Sequence, residues 1–103
     1  MREVLDDDGR SPFAIWLDKL DVAAAAKVRV ALARMNQGNL SGAKWFRGIG
    51  EYKIDFGPGY RIYFAQEGKM VLLLLAGGSK KQQQRDIDTA LARLAAYKAR
   101  SKQ

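Results

Sequence analysis

The chain has 103 residues, 48% of them hydrophobic, which suits one domain (1–103) with one modest core and is too apolar for a disordered chain. It contains no cysteine and no histidine. Disulfides and thiolate metal sites are therefore excluded, and the usual general base and commonest metal ligand are absent. Any catalysis must rest on Lys, Arg, Tyr or carboxylates, or on a group lent by a partner, and no cofactor or metal is expected. The net charge is +7, unevenly placed: residues 1–21 carry −3 and the remainder +10. Such a basic body attracts polyanions, whether RNA, DNA, ribosomes or an acidic protein. The longest apolar run, Met70–Gly78, falls far short of the ~20 residues of a membrane span. The start of the chain, with Asp6, Asp7 and Asp8, shows no secretory signal, so a cytoplasmic location with no membrane partner is expected.

Met1 to Leu5 reads as the remnant of an edge strand. Asp6 to Asp8 lacks the spaced ligands of a calcium loop and reads as a solvated turn. Ser11 and Pro12 open a first helix, with Phe13, Trp16, Leu17 and Leu20 as its buried stripe. Asp21 caps a second helix, whose apolar side continues through Val28, Leu32 and Met35 until Gly38 stops it. The short connection predicts an antiparallel helical hairpin. The period then changes to that of strands. Lys44 to Phe46 starts a short one, Ile49 to Phe56 alternates, Gly57-Pro58-Gly59 turns, and Tyr60 to Gln66 alternates again. After the turn at Glu67-Gly68, Lys69 to Ala76 is too continuously apolar for an edge and reads as a central strand ended by Gly77-Gly78. Ser79 is placed to cap a final helix reaching about Lys98, with Ile87, Ala90, Leu91 and Leu94 facing inward. The class is α+β: an N-terminal helical hairpin and a C-terminal helix on a small antiparallel sheet of three to four strands.

A three-residue loop at Gly57–Gly59 would pair Phe56 with Tyr60, Ile54 with Ile62 and Tyr52 with Phe64 on the core face. The other face would pair Asp55 with Arg61 and Lys53 with Tyr63, with Glu51 nearby. As a solvated face this is an ordinary set of cross-strand pairs. As a functional face it suits RNA. Cleavage by the 2′-hydroxyl needs a proton acceptor, positive charge on the phosphate and a donor to the leaving oxygen. Lys53 can take the proton where nearby cations and desolvation disfavour its charged form. Arg61 can hold the phosphate through paired hydrogen bonds, and Tyr63 can stack on a base or donate a proton. Lys80, Lys81 and Arg85 form a second basic cluster at a helix start, where backbone N–H groups also favour phosphate. Gly48-Ile49-Gly50 lacks the third glycine and the helix of a dinucleotide site, so it reads as a strand start.

The stretch Gly50-Glu51-Tyr52-Lys53-Ile54-Asp55-Phe56-Gly57-Pro58-Gly59-Tyr60-Arg61-Ile62-Tyr63-Phe64 resembles the central hairpin of HigB-like "addiction module killer" proteins in the RelE/ParE superfamily. Leu73 to Lys80, with Gln83, Gln84, Arg85, Asp86 and Ile87, resembles that family's final strand and helix start, and Asp8 to Phe13 with Trp16-Leu17 also fits. The resemblance covers nearly the whole chain. It implies a RelE-like fold and a toxin–antitoxin toxin neutralised by an antitoxin, often a helix-turn-helix protein. It also implies cleavage of mRNA in the ribosomal A site, with DNA contacted only indirectly through the antitoxin complex. By motif matching, Lys53 and Arg61 fall on two RelE functional positions and Lys80 lies near a third. The catalytic candidates are therefore Lys53, Arg61 and Lys80, and the RNA-binding candidates Tyr63, Lys81 and Arg85. The chain departs from RelE where Asp55 replaces a second catalytic lysine, and where Asp86 or Ile87 stands about where a C-terminal tyrosine would be. Two other readings stay open: a ParE-like inhibitor of DNA gyrase without chemistry of its own, and a non-toxic relative that binds its partner and represses transcription with it.

Overall fold

The computed structural model describes residues 1–69 and 71–101. Met70, which the sequence places in a strand, lies outside the described residues. The elements run β1 (Arg2–Glu3), α1 (Pro12–Asp18), α2 (Val22–Asn36), β2 (Ala43–Phe46), β3 (Ile49–Ile54), β4 (Tyr60–Glu67), β5 (Val71–Ser79), a 3-10 turn (Lys80–Gln82) and α3 (Gln83–Ser101). The class is α+β. The sheet has five strands rather than three or four, in the order β1-β5-β4-β3-β2. It is mixed rather than antiparallel, because β1 joins β5 in parallel. That strand is the edge strand read at Met1 to Leu5, two residues long here, and its parallel pairing is what the sequence pattern did not reveal.

Local chemistry sets the helix boundaries. Ser11 accepts from the Ala14 N–H at 3.1 Å with Pro12 in the first turn, and Asp21 accepts from the Ala24 N–H at 2.8 Å. Beyond α2, the Gly38 N–H reaches the Met35 carbonyl and the Asn39 N–H the Arg34 carbonyl, each at 3.0 Å. Gly38 sits at φ 91°. This pair of bonds is a Schellman motif, which needs a left-handed residue where the glycine stands. Two expected boundaries differ. Ser79 makes no capping hydrogen bond, because Lys80–Gln82 first winds as a 3-10 turn. Gly77 and Gly78 do not end the last strand but lie within it.

The helices cover both faces of the sheet, giving three layers. On one face α1 and α2 bury Phe13, Val28, Ala31 and Met35 against Ile54, Ile62, Phe64, Leu72 and Leu74. On the other, Ile87, Ala90 and Leu94 of α3 pack on Ile49, Tyr63, Ala65, Leu73, Leu75 and Ala76. The helix α1 rests mainly on β5, whereas α2 meets α1 and β3 to the same extent. Strand β4 is central and buried on both faces from Arg61 to Ala65.

A β-bulge adapts β5 to the two covers. Tyr63 pairs with Ala76 but Phe64 with Leu74, which leaves Leu75 as an extra residue. Leu75 and Ala76 therefore both join the α3 core. The Leu75 carbonyl accepts from Arg93 Nη1 of α3 at 2.6 Å. Burial disfavours the charge on Arg93 and lowers its pKa, against the opposing pull of Asp6 and Asp86. Beyond the bulge the two glycines let a helix descend onto each face. A Cβ on Gly77 would collide with the Trp16 ring, and one on Gly78 with the Asp86 carboxylate.

Gly77→Ala should therefore cost about 1–3 kcal/mol through overpacking. The cost should shrink when Trp16→Ala is introduced with it, because the obstructing ring is then gone. Urea unfolding of the two single variants and the double variant measures this coupling.

Candidate functional site

The hairpin register differs from the expected one by a single pairing step of the same parity. Ile54 faces Tyr60, Tyr52 faces Ile62, Lys53 faces Arg61 and Glu51 faces Tyr63. The faces keep their members, but the loop widens to residues 55–59 and Asp55 leaves the strand as an exposed loop residue. Asp55 therefore does not pair with Arg61 as expected, and Lys53 does not pair with Tyr63. The reason lies in the turn. The Gly59 N–H returns to the Phe56 carbonyl at 3.0 Å, closing a tight loop above the last strand pair.

Most of the polar face of the hairpin is not solvated, because α3 covers it and leaves only Lys53 exposed. Glu51 is 7% exposed, Arg61 5% and Tyr63 0%. Glu51 Oε2 accepts from the Tyr63 hydroxyl at 2.9 Å and from Gln83 Nε2 of α3 at 2.9 Å. Arg61 Nε lies 3.7 Å from the same oxygen. One carboxylate oxygen thus ties together β3, β4 and the entrance to α3. Burial, and then the hydrogen bond to Glu51, push the Tyr63 phenol well above its ordinary range. Asp86 reaches down from the first turn of α3 onto Gly78, which is the register partner of Arg61 on β5. Burial raises the Asp86 carboxyl above its ordinary value, outweighing the opposing pull of Arg85 and Arg93.

The six expected site residues separate by depth. Lys53, Lys80, Lys81 and Arg85 are exposed. The Lys80 N–H donates to the Gly59 carbonyl at 3.0 Å, which holds the start of the 3-10 turn against the hairpin loop. Lys53, at the outer end of the hairpin, and Lys80 beyond β5 therefore flank the same end of the sheet. Arg61 and Tyr63 lie beneath. The Tyr63 ring has no exposed face for a base, and its hydroxyl is committed to Glu51, so the expected stacking role does not fit its burial. Arg61 is covered, yet its Nε and Nη1 have no hydrogen-bond partner in the protein. A phosphate oxygen would suit those donors chemically.

Sequence reasoning noted Glu51 as a neighbour and missed it as the hub. It missed Gln83 and Asp86 as members of the cluster, and Lys44, which pairs with Glu51 from β2 on the same side of the sheet. The one available signal was the Gln and Asp content of the opening turns of α3, where a buried helix face would ordinarily be apolar. Among the described residues no group of His, Cys, Asp or Glu is arranged to hold a metal ion. Nor is any helix there long and apolar enough to cross a membrane.

Glu51→Ala strands two hydrogen-bond donors, Tyr63 and Gln83, and leaves the buried Arg61 guanidinium without its carboxylate, so it should destabilise by about 3–5 kcal/mol. Tyr63→Phe, which removes one hydrogen bond, should cost only about 1 kcal/mol. Equilibrium urea unfolding separates the two. For Asp86 the sign follows from its raised folded-state pKa. The protonated form is the one the fold favours, so the stability it lends at acid pH is lost as pH rises from the ordinary 3.8 toward the raised value. Asp86→Asn should therefore melt above the wild type at neutral pH, with the advantage vanishing at acid pH, in melting curves recorded across pH.

No family model matches the chain, and no solved structure matches it. A protein of Haemophilus influenzae described as uncharacterized is 40% identical over 63 residues, which cover 58% of this chain and 64% of that relative. The chain thus spans less than two thirds of the length of the relative it matches.

Proposed function

We propose that the chain is a RelE-like toxin of a toxin–antitoxin pair, acting in the cytoplasm as a ribosome-dependent, metal-free mRNA endonuclease. The observation that carries this reading is the union of the two resembling segments at one end of the sheet. The hairpin contributes exposed Lys53 above buried Arg61, and the segment after β5 contributes exposed Lys80, Lys81 and Arg85. Four exposed cations above a buried guanidinium with two unpartnered donors suit a phosphodiester backbone at the surface. In this reading Lys53, exposed in the free protein, accepts the proton once bound RNA and ribosome desolvate it, Arg61 and Lys80 stabilise the phosphate, and Lys81 and Arg85 hold the flanking RNA. With no histidine, the ribosome supplies the orientation of the 2′-hydroxyl. The partner that silences the site is a cognate antitoxin, of the helix-turn-helix kind, through which alone the pair contacts DNA.

The burial of Arg61 and Tyr63 favours a second reading, in which the same fold acts only by binding, as a ParE-like gyrase inhibitor or a non-toxic repressor partner. Inducing the chain without its antitoxin separates these. An endonuclease stops protein synthesis and leaves primer-extension stops within translated codons. A gyrase inhibitor leaves mRNA intact and impairs supercoiling. Lys53→Ala and Lys80→Ala, both at exposed positions, should relieve translation arrest at least tenfold with unchanged melting temperatures. Arg61→Ala should relieve it as well, but with a loss of stability, because its removal leaves Glu51 unpaired in the interior. Full toxicity in Lys53→Ala removes that residue from the mechanism.

A further inference from the structure

Strand β2 carries a large aromatic side chain that the core does not absorb. Trp45 is 48% exposed. Its register partner on β3 is Gly50, whose partner on β4 is Phe64. With no Cβ on Gly50, the Phe64 ring lies over that backbone and meets Trp45 edge-on, with centroids 5.1 Å apart at 73°. The indole is thus braced by an aromatic neighbour while half of it stays open to solvent.

The segment that carries it is charged with one sign. From Val22 to Gly50 the chain holds Lys27, Arg29, Arg34, Lys44 and Arg47 and no carboxylate. Two of these flank Trp45 directly, and both are exposed. Arg47 sits in the β2–β3 turn at φ 53°, a left-handed conformation that is uncommon for a residue with a side chain. Lys44 precedes Trp45 and so projects to the opposite side of the strand, the side shared by Glu51 and Lys53. Because β2 is the outermost strand, a ligand can pass around it from one face to the other.

We propose that Trp45, with Lys44 and Arg47, is a stacking platform for a base of single-stranded RNA, whose backbone crosses the β2 edge toward Lys53. This rests on the RNA reading given above and adds where the strand is held outside the cleavage site. A braced aromatic face, with Arg47 in the adjoining turn and Lys44 on the far side of the strand, serves every base while the cations track a phosphate chain around the edge. An acidic protein segment adding to the edge is the competing occupant. It would use backbone groups rather than the ring, and flanking cations commonly serve to blunt such edges.

The test is binding of a fluorescein-labelled 12-nucleotide oligouridylate by anisotropy, over a salt series. Trp45→Ala should weaken binding roughly 5- to 150-fold, Trp45→Phe should retain most of it, and Trp45→Leu should behave like the alanine variant. Lys44→Ala and Arg47→Ala should each reduce the salt slope by about 0.7. Wild-type affinity in Trp45→Ala or in Trp45→Leu overturns the platform. So does Trp45→Ala binding RNA normally while losing an oligoglutamate probe that the wild type holds. In these cases cleavage of mRNA on induction of the wild type leaves the RNA reading standing. If the wild type neither binds the oligonucleotide nor cuts mRNA, that reading fails together with the platform.

Discussion

A single buried carboxylate sets how the sheet and its last helix meet. Glu51 is nearly inaccessible, and its Oε2 takes hydrogen bonds from Tyr63 on β4 and Gln83 on α3 beside the Arg61 guanidinium. Charges withdrawn from water are tolerated only when paired and hydrogen-bonded, and here the partners come from two other elements, β4 and α3. The entrance to α3 is therefore docked by polar contacts and its later turns by Ile87, Ala90 and Leu94. That division leaves the basic residues of the entrance, Lys80, Lys81 and Arg85, around the polar end rather than the apolar one.

The same docking explains the irregularities of β5. A strand in regular alternation would turn only one of Leu75 and Ala76 toward α3, but the bulge gives both to that side, and Arg93 satisfies the displaced carbonyl. The paired glycines that follow allow Trp16 from one layer and Asp86 from the other to touch the sheet backbone at adjacent positions. Side chains there would hold both helices away and open the cluster around Arg61. Packing demands and the polar site are thus met by the same few residues of one strand.

For function, the consequence is a site in two depths. The outer cations are exposed to solvent, whereas the inner guanidinium has lost its solvent. In the proposed RNA reading the outer cations supply attraction and the inner group supplies geometry, and the two can be altered separately. The β2 edge, with its exposed indole on the other side of the sheet, lies outside this arrangement, in a segment whose charges are all positive.

Much was legible without coordinates. Helix starts at Ser11 and Asp21, the stop at Gly38, the strand periods, the members of each hairpin face and the inward residues of α3 follow from local patterns, because capping, periodicity and turn chemistry act within a few residues. The loop length at Gly57–Gly59 was misjudged by one pairing step, since several turn closures share the same glycines. Fold class and the overall positive charge belong to the sequence alone. The tertiary structure decided the second cover of the sheet, the two-residue parallel strand, the placement of Gly77 and Gly78 inside β5, and the burial of Arg61, Tyr63 and Glu51. A strand's alternation says which side chains share a face, but whether water or a helix lies against that face depends on where a segment some twenty to thirty residues later in the chain comes to rest. That long-range choice turned an apparent solvated patch into an enclosed cluster with a basic rim.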